Sequence, residues 1–318
     1  VRVYLCKGDE SGWAIDEDRR QTLLSLSKIV TLVDHPRDAQ VIHSCWWLPL
    51  MRLAEDDVRG KPVICHMAGE PARCLGEVDF MPAMQRVTHW IAQSRQAFEQ
   101  LSDIAASVSH VPYAVDVAGF CAPERGPSEV VLRAKTRIAP GSYVIANFHR
   151  DAAGAGLNEG RLIPKLVKGP DVFVEILAEL VSRGERVTAL LGGPRRHWTR
   201  RELERRGVPV VFAGESIAGD DYPLNILSMS DMAHLYAMAN LVLSCGRSEG
   251  GPRSVLEAAA AGIPQMATRT GVAPDVLSPD CVFRDPVEAV DRIQEDIARG
   301  VLRAQAGRHQ ATVLADHT

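Results

Sequence analysis

Two carboxylates frame the stretch SEGGPRSVLEAAAAGIP (248–264): Glu249 stands just before Gly250, Gly251 and Pro252, and Glu257 sits inside the apolar helix that follows. Carboxylates are rarely buried without partners, so both should face something polar. LVLSC (241–245) reads as a strand, residues 246–251 as the turn after it, and Pro252 suits the first helical position, where a missing N–H costs nothing. The start of that helix then offers free amides and the positive end of the helix dipole, and two glycines let an anion come close to the backbone. Glu249 lies at the mouth of such a site. Glu257, in the second turn, would repel a phosphate but can accept hydrogen bonds from neighbouring hydroxyls, as on a ribose. Amides for phosphate, one carboxylate for ribose and one for a sugar together suit a nucleoside-diphosphate sugar. A plainer reading is a β/α turn whose acids are solvated or paired with Arg247 or Arg253; spacing alone leaves both open.

These residues need a scaffold, and the chain alternates short apolar strands with amphipathic helices throughout. VRVYLC (1–6), IVTLVD (29–34), QVIHSC (40–45), KPVICHM (61–67) and HWIAQS (89–94) read as strands. Asp16 is placed to cap a helix carrying Leu23, Leu24 and Leu26, and RQAFEQLS reads as a short helix. The pattern breaks at FCAPERGPSE (120–129), which holds two prolines, a glycine and three charges without periodicity and reads as a linker. A second alternation follows: SYVIANFH (142–149), the helix DVFVEILAELVSRG ending at Gly184, VTALLG (187–192), VPVVFAG (208–214), a helix around DMAHLYAMA, LVLSC, the quoted helix and PQMATRT (264–270). The expected architecture is α/β: two Rossmann-like domains, 1–125 and 126–290, facing across a cleft, with a helical segment 291–318 packing back on the first domain. In open α/β sheets ligands bind at the carboxyl ends of strands. Residues 152–160 and 215–230 read as surface loops.

The 318 residues and 46% hydrophobic content allow two real cores. A net charge of −4 argues against a nucleic-acid partner, although local arginines can still grip phosphate. No apolar run reaches transmembrane length and no signal-peptide pattern is read, so a cytoplasmic protein with at most peripheral membrane contact is expected. Seven cysteines form no CxxC pair and are expected to be reduced and mostly buried. His43 with Cys45, and Cys65 with His66, lack zinc-ligand spacing, so no metal site is expected. PRRHWTRR (194–201) could meet an anionic membrane or a phosphorylated acceptor, but a solvated helix face is preferred.

SEGGPRSVLEAAAAGIPQMAT resembles the signature of the retaining GT-B glycosyltransferases of the group 1 family: Glu, seven residues, Glu, a small-residue helix, Gly-x-Pro and a strand. The flanks, YAMANLVLSC before and TRTGVAPDVL after, are similar to the family's order too. The resemblance implies that Glu257 holds the ribose and that Glu249 contacts the donor sugar with the amides of Gly250 and Gly251. It implies a diphosphate gripped by Arg150, after the strand ending NFHR, by Lys168, before Gly169, and by Arg253 beside the turn. Lys165 is a rival to Lys168, and residues 151–164 would be an insertion. HWIAQS followed by VPYAVDVAGF is similar to a family run with Ser94 and Asp116 in register. KPVICHMAGEP looks like the strand ending in an active-site histidine, which makes His66 that residue; a buried structural histidine is the competing account. The family's Gly-Gly loop after the first strand is replaced by CKGDESGW, leaving Gly12 or Gly8 to approach the donor.

The resemblance therefore implies a metal-independent, cofactor-free glycosyltransferase. It would move a sugar from a UDP- or GDP-type donor to a saccharide, lipid-linked or small-molecule hydroxyl, with retention. A sugar-nucleotide epimerase of the same fold, or a non-catalytic sugar-nucleotide binding module, are the alternatives.

Overall fold

The computed structural model describes residues 1–8, 14–123, 125–151, 163–217, 219–222 and 224–318. They form two compact units. One comprises 1–113 with the short segment 248–251; the other comprises 114–247 and 252–318.

The first unit is built on a parallel sheet of β1 (Arg2–Leu5), β2 (Thr31–Leu32), β3 (Val41–Ser44), β4 (Val63–Met67), β5 (His89–Ala92) and β6 (Val108–His110), in the order β2-β1-β3-β4-β5-β6. Its core holds Trp47, Phe80 and Trp90, with ring centroids 5.5 Å (Trp47–Phe80) and 5.9 Å (Phe80–Trp90) apart. Ile42, Leu50, Met67 and Leu101 are wholly buried around them. Parallel strands need crossovers, and these are helical. The helix Arg95–Ser102 spans the expected RQAFEQLS, and Ser94 caps it by accepting from the Ala97 amide at 3.2 Å. The first long helix runs Ala14–Leu26, so Asp16 lies within its first turn instead of capping it. There the carboxylate still meets the positive end of the helix dipole.

In the second unit β7 (Tyr143–Asn147), β8 (Val187–Gly192), β9 (Val210–Ala213), β10 (Leu241–Ser244), β11 (Gln265–Thr268) and β12 (Val282–Phe283) form another parallel sheet, ordered β12-β11-β10-β7-β8-β9. β8 is buried at all six positions, the mark of a central parallel strand covered on both faces. The helix Pro170–Ser182 buries Phe173, Val174, Ile176, Leu177 and Leu180. It ends where Gly184 takes φ +88°. The short helix Val117–Cys121 packs on the helices Met229–Ala237 and Arg253–Ala260. That packing puts residues 114–125 in the second unit, whereas composition places the linker at 120–129. The C-terminal helix Arg303–Asp316 also packs on Arg253–Ala260, with Gln310 Nε2 donating to the Ala260 carbonyl at 2.8 Å.

Among the described residues no helix is long and apolar enough to cross a membrane. The described cysteines are all free, and only Cys121 is exposed.

Candidate active site

Strand order locates the second unit's site. Counted from β7, the sequence β9-β8-β7-β10-β11-β12 is the 3-2-1-4-5-6 arrangement of doubly wound folds, which reverses direction between β7 and β10. In such folds the chains leaving the two strands diverge and leave a crevice at their carboxyl ends. β7 ends at Asn147, and Phe148, His149 and Arg150 follow at that edge; β10 ends at Ser244 and runs on through Gly246 toward the helix Arg253–Ala260.

Hydrogen bonds tie the two strand ends together. Asn147 Nδ2 donates to the Leu243 carbonyl at 2.7 Å. His149 Nε2 meets Ser254 Oγ at 2.6 Å, and Ser254 Oγ meets Ser244 Oγ at 3.0 Å. Arg150 is thereby next to a residue anchored to the first turn of the helix that carries Arg253 and Glu257.

Lys168 is brought to the same edge by its neighbours. The Arg247 amide donates to the Val167 carbonyl at 2.8 Å. The Arg247 guanidinium forks onto the Asp171 carboxylate at 2.7 and 2.5 Å and reaches the Leu166 carbonyl at 2.7 Å. Gly169 has φ +64°, and a Cβ there would lie 1.8 Å from the Cys245 carbonyl oxygen, so only glycine lets the backbone beside Lys168 touch the end of β10.

Glu257 is oriented from two sides. The buried Tyr236 hydroxyl donates to its Oε2 at 2.8 Å, and Arg253 Nε lies 3.9 Å from its Oε1. Burial, and then the Glu257 carboxylate, push the Tyr236 phenol well above its ordinary value, so it stays a donor. Arg247 is committed to Asp171, leaving Arg253 as the described partner of the motif's second acid. Pro252 occupies the cap position, one residue earlier than its expected helical place, with the Val255 amide donating to its carbonyl at 3.0 Å.

Within the first unit, the segment Ser248–Gly251 lies against residues just beyond β4. A Cβ on Gly250 would come 2.4 Å from the Ala68 carbonyl oxygen, and one on Gly251 would come 2.0 Å from the Tyr113 ring. Both glycines thus have a steric requirement besides any ligand. Glu249 is 9% exposed, and so is His66, at the end of β4. His66 Nε2 lies 2.9 Å from His43 Nε2 on β3. Burial, and then His43, lower the His66 pKa to about 3; burial lowers that of His43 to about 4. Both rings are neutral at physiological pH and act as hydrogen-bonding groups.

Sequence reasoning overlooked His149, Ser254 and Tyr236, and took His43 only as a metal candidate. Period-two counting along QVIHSC and PVICHM was the available signal for the last, since it puts His43 and His66 on one sheet face once the strands are paired. Gly12 lies outside the described residues, as do residues 152–162 of the expected insertion. The PRRHWTRR cluster is not a solvated face: Arg196 is buried and donates to Asn147, Arg195 pairs with Asp220 at 3.0 Å, and Arg200 sits 4.4 Å over the Phe212 ring. Among the described residues no group of three or more His, Cys, Asp or Glu side chains is arranged to hold a metal ion.

Comparison with known proteins adds a family. Residues 157–299 match the family model described as Glycosyl transferases group 1. No curated protein sequence matches the chain. Among solved structures, the chain is similar to Anabaena HepE in complex with UDP and glucose, with a TM-score of 0.73 and 15% identity over 99% of this chain and 95% of that one. It is also similar to the sucrose-phosphate synthase of Thermosynechococcus elongatus, with a TM-score of 0.62 and 14% identity over 88% and 70% of the two chains. A third likeness is to the UDP-forming α,α-trehalose-phosphate synthase of Burkholderia vietnamiensis, with a TM-score of 0.57 and 13% identity over 87% and 69%. Residues 157–299 therefore match a group 1 glycosyl transferase domain, within a chain that has the two-domain GT-B fold.

Proposed function

We propose that the chain transfers a sugar from a nucleoside-diphosphate donor of UDP or GDP type to an acceptor hydroxyl, with retention of configuration. The observation that carries this reading is the second sheet's switch point. Arg150 follows β7 there, Lys168 is fixed beside the end of β10, and the helix bearing Arg253 and Glu257 starts from the same edge. A crevice of this kind takes nucleotides in doubly wound folds. The Anabaena neighbour, whose solved complexes contain UDP or UDP-glucose, makes a uridine donor the first to test.

In this reading Arg150, Lys168, Arg253 and the amides of Gly250 and Gly251 bind the diphosphate, Glu257 accepts from the ribose hydroxyls, and Glu249 and His66 contact the sugar. The bond from the anomeric carbon to the β-phosphate oxygen breaks, and its electron pair leaves on the phosphate. The acceptor oxygen bonds to that carbon on the same face, and its proton passes to the departing phosphate oxygen. Fixed cations and amides stabilise the charge that develops on the leaving diphosphate, so no metal is required. A neutral His66 fits a hydrogen bond to a sugar hydroxyl.

A thermal-shift screen against UDP, GDP, ADP and their sugars tests donor binding, since a ligand that binds only the folded chain raises its melting temperature. Acceptor-dependent release of nucleotide, undiminished by EDTA and giving a product of unchanged anomeric configuration, is the expected outcome. Donor epimerised without acceptor, or bound without turnover, would overturn the transferase reading.

A further inference from the structure

The histidine pair of the first unit extends this reading, and the inference rests on His66 being a sugar-contacting residue. His43 opposes Ile64 in the register of β3 and β4, and His66 lies two residues further along β4. Side chains two apart share a face, so both rings project from the same side of adjacent strands. Their sheet neighbours are apolar: Leu5 opposes His43 on β1, and Ile91 opposes His66 on β5. Each Nε2 finds the other at 2.9 Å. Nδ1 of His66 is buried and has no hydrogen-bond partner among the described residues.

An Nε2–Nε2 hydrogen bond constrains both rings. One nitrogen must carry the hydrogen and the other must present a lone pair, so the tautomer of each ring dictates that of the other. A buried polar atom without a partner is costly, and functional sites are one place where that cost is met. We propose that His43 is a positioning residue for His66: it occupies His66 Nε2, holds the ring in one orientation, ties its tautomer to that of His43, and leaves Nδ1 as the ring nitrogen that meets a substrate hydroxyl. His43 itself touches no substrate. Its effect is to remove the rotational choices His66 would otherwise have, which lowers the cost of reaching the reactive arrangement.

The test compares His43→Gln, whose side-chain amide can still bond to His66 Nε2, with His43→Leu, which fills similar volume without a bond. Histidine ¹⁵N spectra of the free, folded protein should show His66 Nε2 in a hydrogen bond in the wild type and in His43→Gln, and not in His43→Leu. With donor and acceptor, His43→Leu should lower kcat about tenfold, the scale of one hydrogen bond. The donor KM should stay within about twofold, because an interaction realised in the transition state moves kcat. His43→Gln should recover most of the loss. A His66 Nε2 that is not hydrogen-bonded in the wild type, wild-type turnover by His43→Leu, or equal damage from Gln and Leu would each overturn the proposal. If His43→Leu does not fold, His43→Asn, too short to reach Nε2, replaces it with the same expectations. The spectra need no substrate, so they decide the locking of His66 even if the wild type shows no transferase activity, which would sink the functional reading by itself.

Discussion

The two units use one strand-and-helix grammar to bury very different interiors. The first is packed with aromatic and sulfur side chains, Trp47, Phe80, Trp90, Cys65 and Met67, and also buries the neutral pair of His43 and His66. The second has aliphatic strands but keeps charge inside. Arg196 is 1% exposed and donates to the Asn147 carbonyl and side chain at 3.0 and 2.7 Å. Asp151 is equally buried and accepts from the Thr199 amide at 2.8 Å. Burial raises the Asp151 pKa and Arg196 opposes that rise, while burial lowers the Arg196 pKa to about 10. The difference teaches where each unit is fragile. The first should fail by losing packing, the second by losing a charge partner.

The largest effects should come from testing that contrast. Phe80→Ala removes the ring between Trp47 and Trp90 and should cost about 3–5 kcal/mol in urea unfolding. Arg196→Met removes the buried guanidinium that opposes the rise in the Asp151 pKa and should cost about 3 kcal/mol or more, largely restored by adding Asp151→Asn. If the double substitution is no better than the single one, charge is not what holds that interior together.

At the second unit's edge, Lys168→Ala should lower turnover on the order of 10²-fold, the scale for losing one fixed electrostatic donor, with the fold intact. Wild-type turnover would hand the role to Lys165 or to no lysine. Glu257→Ala should weaken nucleoside diphosphate binding by about 1.5–3 kcal/mol, the range for a hydrogen bond to a charged group. Unchanged affinity in a calorimetric titration would remove the ribose role.

The smallest effect is a pH slope that belongs to the first unit's pair. Both histidines have depressed folded pKa values, about 4 and about 3, against 6.5 in the unfolded chain. Their stability contribution is therefore complete above pH 6.5 and is lost as pH falls toward the folded values. Lowering pH from about 7.5 to 5.5 should cost about 1–1.5 kcal/mol for each of the two histidines, read as a shifted urea midpoint. His309 in the second unit, also lowered to about 4 by burial, contributes in the same direction. The doubly substituted His43→Leu, His66→Leu protein should keep only the smaller part of the slope.

Much of this frame was readable beforehand because its signals are local. The helix over RQAFEQLS, the turn at Gly184 and the strand-turn-helix around Glu249 and Glu257 follow from period, caps and punctuation within a dozen residues. What was not readable depends on partners distant in sequence. Strand order, which creates the switch point between β7 and β10, appears in no single strand. The pairing of His43 with His66 needs the register of β3 on β4. PRRHWTRR looks like a solvated run because Asp220, which pairs with Arg195, and Phe212, under Arg200, come from elsewhere in the chain. Gly250 and Gly251 suggested close approach by an anion, yet Ala68 and Tyr113 already demand them. The motif was visible and its steric half was not.

Gly169, with its left-handed backbone pressed to the Cys245 carbonyl, has a consequence for mutational tolerance. In a saturation library sorted first for yield of folded protein and then for catalysis, neighbouring codons should behave in opposite ways. Position 168 should accept nearly every amino acid in the first sort and almost none but lysine or arginine in the second. Position 169 should admit glycine alone in both, since any added carbon both strains φ and strikes backbone. Alanine at 169 surviving the first sort would mean that residues 165–171 can lift away from β10 without unfolding the unit.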